Sequence, residues 1–325
     1  MTKKEFLKEF QARQKSKFKY GYQNWWTRFV FHYNDIHNIV SILNSAKLYS
    51  RNKAKKLNLL KTDIANDDVI AHTNTSVHDY VRFYFGAKTP TLYRNEGLIP
   101  QNQILDNAHC PVPVFLLFDF IKVLSIDGVW FSNGNMGVEN LEVYNDINKL
   151  DSLEWEYIYH RNSLYQTPNS RHINYCRNAE VLVKDELNIY DFLKWICVRS
   201  KADKDTLLNL VDETTKKSIK DKINIFTSDG LFHNKRLYIE EVKLNKKHVE
   251  INFLNRDNQE FILKGIAKSL ATGEVISKSK IFKVKSNISY IIEGMDISKG
   301  LHFVLYIDEN IVYNNVLFDI NEVLV

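Results

Sequence analysis

Residues 77–100, VHDYVRFYFGAKTPTLYRNEGLIP, constrain the fold more than any other stretch of this chain. Tyr80, Phe83, Tyr84 and Phe85 place four rings within six residues, and the chain then turns through Gly86 and Lys88-Thr89-Pro90. A strand that only filled a core would draw on Val, Ile and Leu, which carry no polar atom. A buried tyrosine must find a partner for its hydroxyl. The stretch is therefore either an aromatic strand whose hydroxyls bond nearby backbone, or the wall of a pocket.

The rest of the sequence narrows the setting. At 325 residues the chain exceeds one typical domain, so two are expected. All five prolines lie between Pro90 and Pro168, which makes the middle the irregular part. Cys110, Cys176 and Cys197 form no C-x-x-C pair, which argues against structural zinc and a disulfide framework and fits a reducing cytoplasm. The Lys-rich N-terminus lacks the apolar run of a signal peptide. The longest apolar run, VPVFLLFDFIKVL, is too short to span a bilayer and carries Asp119 and Lys122. Up to Lys61 there are fourteen Lys or Arg against Glu5, Glu9 and Asp35. That excess beside Tyr20, Tyr22, Trp25 and Trp26 suits either a nucleic-acid backbone or a solvated amphipathic helix.

Periodicity predicts a helix over 3–19 with Phe6 and Phe10 on one face, and an aromatic strand at 29–33. Asp35 is placed to cap a helix through Ile36, Ile39, Val40 and Leu43. Residues 49–68 read as a polar loop or broken helix, 112–119 as a buried strand, and 129–135 as a strand running into a glycine turn. A strand is expected over 174–183 and a helix over 204–217. From 237 to 318, short Val/Ile/Phe/Tyr runs are separated by turn signals such as Thr272-Gly273 and Lys299-Gly300, the pattern of an antiparallel β-sandwich. The expected fold is α+β, with a mixed domain over 1–221 and a small β-sandwich over 222–325.

Phosphate-binding glycine loops, dinucleotide fingerprints and nucleophile elbows are absent, and no two histidines share a helical face at metal-ligand spacing. Glu180 is the most informative residue. A carboxylate inside an apolar strand is costly to bury unless paired or hydrogen-bonded. Glu180 therefore points out to water, or works in a cleft.

Taken together, FHYNDIHNIVSIL, VHDYVRFYFGAKTPTLYRNEG, FSNGN and RNAEVLV resemble the successive motifs of the DarT-type DNA ADP-ribosyltransferases, in order, over roughly residues 29–200. The resemblance implies an NAD-dependent transferase, without a metal, that modifies a base in single-stranded DNA as a bacterial toxin or phage-defence effector. A macrodomain antitoxin that reverses the modification is the implied partner. By motif, Glu180 matches the catalytic glutamate. His32, Asn34, Asn38, Tyr80, Tyr84 and Tyr93 fall where NAD would be held; Arg82, Lys88, Arg94, Asn135 and Arg177 fall where phosphate or DNA would be met. Relatives often carry threonine at the position of Asn34 and histidine at that of Asn135. They also carry an arginine assisting the glutamate in the loop before the aromatic stretch. That loop, 58–76, has none here; Arg51, Arg82 and Arg94 are the nearest candidates, with His72 and Lys61 behind them, and Arg51 is given the role. The rival expectations are transfer to RNA or protein, and an inactive relative that binds nucleic acid through its basic N-terminus.

Overall fold

A computed structural model describes residues 1–59, 75–105, 108–138, 141–228, 230–245, 247–255, 259–284 and 287–318. Its centre is a mixed eight-stranded sheet of order β10-β9-β4-β1-β3-β7-β5-β6. The strands are β1 (Phe29–Asp35), β3 (Tyr80–Tyr84), β4 (Pro113–Asp119), β5 (Trp130–Ser132), β6 (Val143–Tyr144), β7 (Glu180–Lys184), β9 (Leu193–Val198) and β10 (Ile223–Ile225). A two-stranded ladder of β2 (Lys47–Tyr49) and β8 (Glu186–Asn188) flanks it. β4, buried at every position but its last, runs beside β1 with Phe31 opposite Leu117 and Tyr33 opposite Phe115. A nearly continuous apolar run is what a central strand needs, because both of its faces are covered.

Helix α1 (Lys3–Lys17) starts in a capping box in which the Thr2 side chain and Glu5 satisfy each other's backbone N–H. It buries Phe6, Leu7 and Phe10, and Phe10 packs on Phe120 and Trp155 with ring centroids 6.0 and 5.2 Å apart. The N-terminal lysines thus decorate a helix seated on the core. Asp35 caps the helix Ile36–Ser45 as expected, its Oδ1 accepting from the His37 N–H at 3.1 Å.

Two expectations need correction. The stretch 174–183 is not one strand: the helix Ser170–Cys176 ends first, and Glu180 opens β7. Ile173 and Cys176, three apart, bury a helical face, and only 181–183 form a β-branched and apolar run. The single helix over 204–217 is two, Lys201–Leu210 and Glu213–Ile219, because Asp212 caps the second by accepting from the Thr215 N–H at 2.8 Å.

The C-terminal region is two antiparallel sheets, β11-β12-β15 and β14-β13-β16-β17. Their strands are β11 (Tyr238–Asn245), β12 (His248–Leu254), β13 (Glu260–Ser269), β14 (Val275–Lys283), β15 (Ile288–Ile291), β16 (Leu301–Ile307) and β17 (Asn310–Leu317). Tyr290 crosses between the sheets to donate to the Gly265 carbonyl at 2.9 Å, and packs on Phe303 at 5.3 Å. A Cβ at Gly265 would stand 2.4 Å from the Tyr290 ring. Gly265→Ala is therefore expected to lower stability by about 1–3 kcal/mol through overpacking, read as a lower melting temperature. One apolar core runs without interruption from Phe6 to Leu317. The expected boundary at 221/222 falls just before β10, which adds to the large sheet parallel to β9. Residues 226–228 and 230–237 then form a strap, bonded by Trp26 and Lys88, before β11 begins.

Candidate active site

The register of three strands builds the site. Phe31 of β1 pairs with Tyr84 of β3, and Tyr84 pairs with Glu180 of β7. Since side chains alternate along strands, Tyr33, Tyr84, Arg82 and Glu180 project from one face. Glu180 is 2% exposed, and Arg82 forks onto it: Nε donates to Oε2 at 2.5 Å and Nη2 to Oε1 at 2.6 Å. The carboxylate inside the strand is thus paired as burial requires, with both oxygens fixed. Burial opposes the Arg82 charge, but Glu180 more than restores it and holds the guanidinium above its ordinary value. Tyr33 and Tyr84 stack with centroids 6.1 Å apart. Burial, then the nearby Glu180 charge, pushes the Tyr84 hydroxyl up to about 12, so it stays protonated. From the other side, the Ser132 hydroxyl accepts from the Glu180 N–H at 3.0 Å and donates to the Gly134 carbonyl at 2.8 Å. The glycine turn and the start of β7 are therefore tied together.

The remaining expected residues are more dispersed. Tyr80 shares the Glu180 face but lies further along β3, with Lys184 over its ring at 4.9 Å. His32 alternates to the opposite face, its Nδ1 3.1 Å from the Arg82 carbonyl and its ring edge-on to Phe83. Its buried Nε2 has no hydrogen-bond partner among the described residues. Asn34 accepts from the Asn38 side chain at 2.8 Å, so this pair shapes the turn from β1 into its helix. Asn135 accepts from the Gly137 N–H at 3.0 Å inside the glycine turn. Lys88 is buried and donates to the Phe232 carbonyl of the strap. Tyr93, on the helix Pro90–Asn95, is exposed and bonds Lys235 at 2.7 Å, while Arg94 next to it is exposed. Arg177 is buried at the turn before β7. Arg51 opens the helix Arg51–Lys56, and the ion pair to Glu180 goes to Arg82 instead. His72 and Lys61, the candidates behind it, lie outside the described residues. Glu154, His172 and Cys176 bring three possible metal-ligating atoms together, but the first two are joined by a 2.6 Å hydrogen bond.

Sequence reasoning carried Tyr33 and Ser132 only inside the FHYNDIHNIVSIL and FSNGN motifs, with no role for either, and missed the strap. Tyr33 was visible as the next same-face position after Phe31 on β1. Ser132 lay inside the FSNGN motif with no pattern to assign its hydroxyl to Glu180. The strap, 145 residues downstream of Lys88 at His233, left no local signal.

Two expected results follow here. A Cβ at Gly134 would stand 2.3 Å from the Tyr175 ring, whose hydroxyl bonds Asn133. Gly134→Ala should therefore displace the turn that holds Ser132 under Glu180, lowering kcat by about tenfold or more, as small misplacements of a catalytic group do. Burial also holds His32 down at about 4 and His233 at about 3, against an ordinary 6.5. The folded state keeps both neutral while the unfolded chain takes up protons below 6.5. Stability is thus fully present above 6.5 and falls as pH drops toward 4. Melting curves at pH 7 and 4.5 should show the decline, and His32→Gln should flatten it.

Comparison with known proteins identifies the family and the fold. The family described as "ssDNA thymidine ADP-ribosyltransferase, DarT" matches residues 31–232, a span that starts within β1, holds β3, Arg82, Ser132 and Glu180, and ends inside the strap. Among curated proteins, none matches this sequence. Among solved structures, Thermus sp. 2.9 DarT in complex with ADP-ribosylated ssDNA superposes with a TM-score of 0.51 at 18% identity, covering 63% of this chain and 96% of that one. The same DarT in complex with NAD+ matches at 19% identity and TM-score 0.49, covering 63% and 98%. With its family match spanning more than half the sequence, and with a buried glutamate at the start of β7, this chain belongs to the DarT family of single-stranded-DNA thymidine ADP-ribosyltransferases.

Proposed function

We propose that this protein cleaves the nicotinamide–ribose bond of NAD and transfers ADP-ribose to thymidine in single-stranded DNA, with Glu180 at the chemical centre. The observation that carries this reading is the buried Glu180 carboxylate, fixed through both oxygens by Arg82 beneath the stacked Tyr33 and Tyr84. Loss of nicotinamide leaves positive charge on the ribose in an oxocarbenium-like transition state. A fixed carboxylate facing that sugar stabilises the charge more in the transition state than in the ground state. Each oxygen engaged by Arg82 keeps a lone pair for a ribose hydroxyl. The thymine ring nitrogen bonds to the anomeric carbon as the carbon–nicotinamide bond breaks, and its proton passes to Glu180 or to water. The tyrosine walls exclude water that would otherwise hydrolyse NAD. Arg82 takes the assisting place in this reading.

A thymine edge is accessible to such a pocket only when unpaired, which makes single-stranded DNA the natural acceptor. A bulky group on the base-pairing edge blocks templating, so the activity suits a toxin or a defence against invading DNA. A macrodomain antitoxin that hydrolyses the linkage would be the protecting partner. A cytoplasmic site of action is proposed with it; no helix among the described residues is long and apolar enough to cross a membrane. The test is mass spectrometry of oligonucleotides incubated with NAD. Thymidine-containing single strands should gain one ADP-ribose, and thymidine-free strands or duplexes should not. Modification of RNA or protein with none on DNA would sink the acceptor assignment.

A further inference from the structure

One group of side chains outside the Glu180 pocket takes no part in the transfer chemistry. His172 and Cys176 stand one turn apart on the helix Ser170–Cys176, and residues four apart share a helical face. Glu154, just before the short helix Trp155–Ile158, meets that face. The His172 Nε2 lies 2.6 Å from the Glu154 Oε1 and 3.6 Å from the Cys176 sulfur, and the sulfur lies 4.0 Å from the same oxygen. One nitrogen, one oxygen and one sulfur thus converge on a single point. Cys176 is 1% exposed and forms the inner corner, while the His172 and Glu154 side chains keep 47% and 51% of their surface in solvent.

Imidazole, carboxylate and thiolate together are a donor set for zinc and its neighbours, whereas calcium and magnesium take oxygen. With ordinary zinc bond lengths, tetrahedral ligand atoms sit about 3.4–3.6 Å apart. The nitrogen–sulfur distance already fits. The sulfur–oxygen distance must close by about 0.4 Å and the nitrogen–oxygen distance open by about 0.8 Å, which half-exposed side chains can supply. The Glu154–His172 hydrogen bond uses the nitrogen that faces the sulfur, so it is the bond an ion would replace. Tyr157, edge-on at 5.4 Å, and Tyr175, stacked at 6.2 Å, hold the His172 ring plane. Burial, and then the Glu154 charge, pushes the Cys176 thiol up to about 12. Binding therefore breaks the S–H bond as the metal–sulfur bond forms, and the proton passes to solvent. One thiolate and one carboxylate then neutralise a divalent ion.

We infer that Glu154, His172 and Cys176 form a site for one divalent transition-metal ion of the zinc class, with a fourth position open to solvent, and that the ion pins the helix Ser170–Cys176 to Glu154. The ion is a clamp, separate from the transfer step, and the inference does not rest on the transferase reading. Its reach extends further, because Tyr175 on this helix donates its hydroxyl to Asn133 at 2.5 Å and its ring packs on Gly134. That turn carries Ser132, which holds the Glu180 N–H. Pinning the helix steadies the turn.

The test uses tag-free, full-length protein with zinc or cobalt(II) alone. One equivalent of zinc should bind with a Kd on the order of micromolar, weaker than four-ligand structural sites. At a hundredfold excess over Kd it should raise the melting temperature by about 3–5 °C, and calcium should not. Cobalt(II) should show the sulfur-to-metal charge-transfer absorption of a thiolate ligand, which a histidine–glutamate pair alone cannot give. Cys176→Ser should abolish that band and weaken zinc binding about tenfold or more, while Cys110→Ser should leave both in place. Zinc should also slow hydrogen exchange over 170–176 and over 132–135. Zinc binding weaker than about 0.1 mM, or binding that Cys176→Ser leaves unchanged, overturns the site. If Cys176→Ser does not fold, the exposed His172→Gln decides on the same readouts. Slower exchange confined to 170–176 would disprove the link to the turn.

Discussion

Glu180→Gln is expected to lower the kcat for nicotinamide release by at least 10²–10³-fold, the order found when one preorganised electrostatic stabiliser is removed from an active site. Glutamine preserves the volume of a side chain that is 2% exposed, and its amide oxygen still accepts from Arg82. What it removes is the negative charge that the proposed mechanism sets against the ribose. If the charge acts in the transition state and not in the ground state, the KM for NAD should stay within about threefold while kcat collapses. Glu180→Ala is the less clean variant, because it also strips Arg82 of its partner and leaves a cavity. The check is steady-state nicotinamide release over a range of NAD concentrations, with melting temperature as the folding control. A folded Glu180→Gln protein whose kcat is within threefold of wild type would remove Glu180 from the chemistry.

Much of this site was legible before any coordinates. Glu180 stood out because an acid followed by Val181-Leu182-Val183 is energetically awkward, and that awkwardness is resolved by a bidentate arginine. What the pattern could not supply was the partner. Arg82 and Glu180 are 98 residues apart and meet through strand register, which one sequence does not encode locally. Arg82 was accordingly one of three candidates for the assisting place, which went to Arg51, while Arg82 was expected at a phosphate.

The same limit explains the other differences. Tyr80, Arg82 and Tyr84 share a face by alternation, which the aromatic spacing foreshadowed. His32 alternates away from Glu180 because it is one residue from Phe31 and Tyr33, whichever motif it belongs to. The sandwich was visible from its turns, since two-residue alternation and Gly or Asn punctuation are local signals. Its attachment was not. The strap is held by Lys88, Glu96, and Trp26, whose Nε1 donates to the Gly230 carbonyl at 3.0 Å, contacts that span more than a hundred residues each.

Arg82 provides the second large effect, and it separates two consequences of one ion pair. Arg82→Met keeps the length of the side chain along β3 but leaves the Glu180 carboxylate buried without a counter-charge. Breaking a fully buried pair costs about 3–5 kcal/mol. The cost here should fall below that range, since the Arg82 side chain keeps 32% of its surface exposed while that of Glu180 keeps 2%. Thermal or denaturant unfolding should register that loss. The double variant Arg82→Met/Glu180→Gln should recover most of the lost stability while remaining inactive, because it removes the unpaired charge and the catalytic charge together. Arg82→Lys tests geometry against charge. It restores a cation but only as a point donor, so it cannot fix both oxygens at once. Stability should return more fully than kcat if the arginine's purpose is to orient the carboxylate toward the sugar. Should Arg82→Lys recover kcat to within threefold of wild type, the two-point fork is not what catalysis requires, and the positioning role falls.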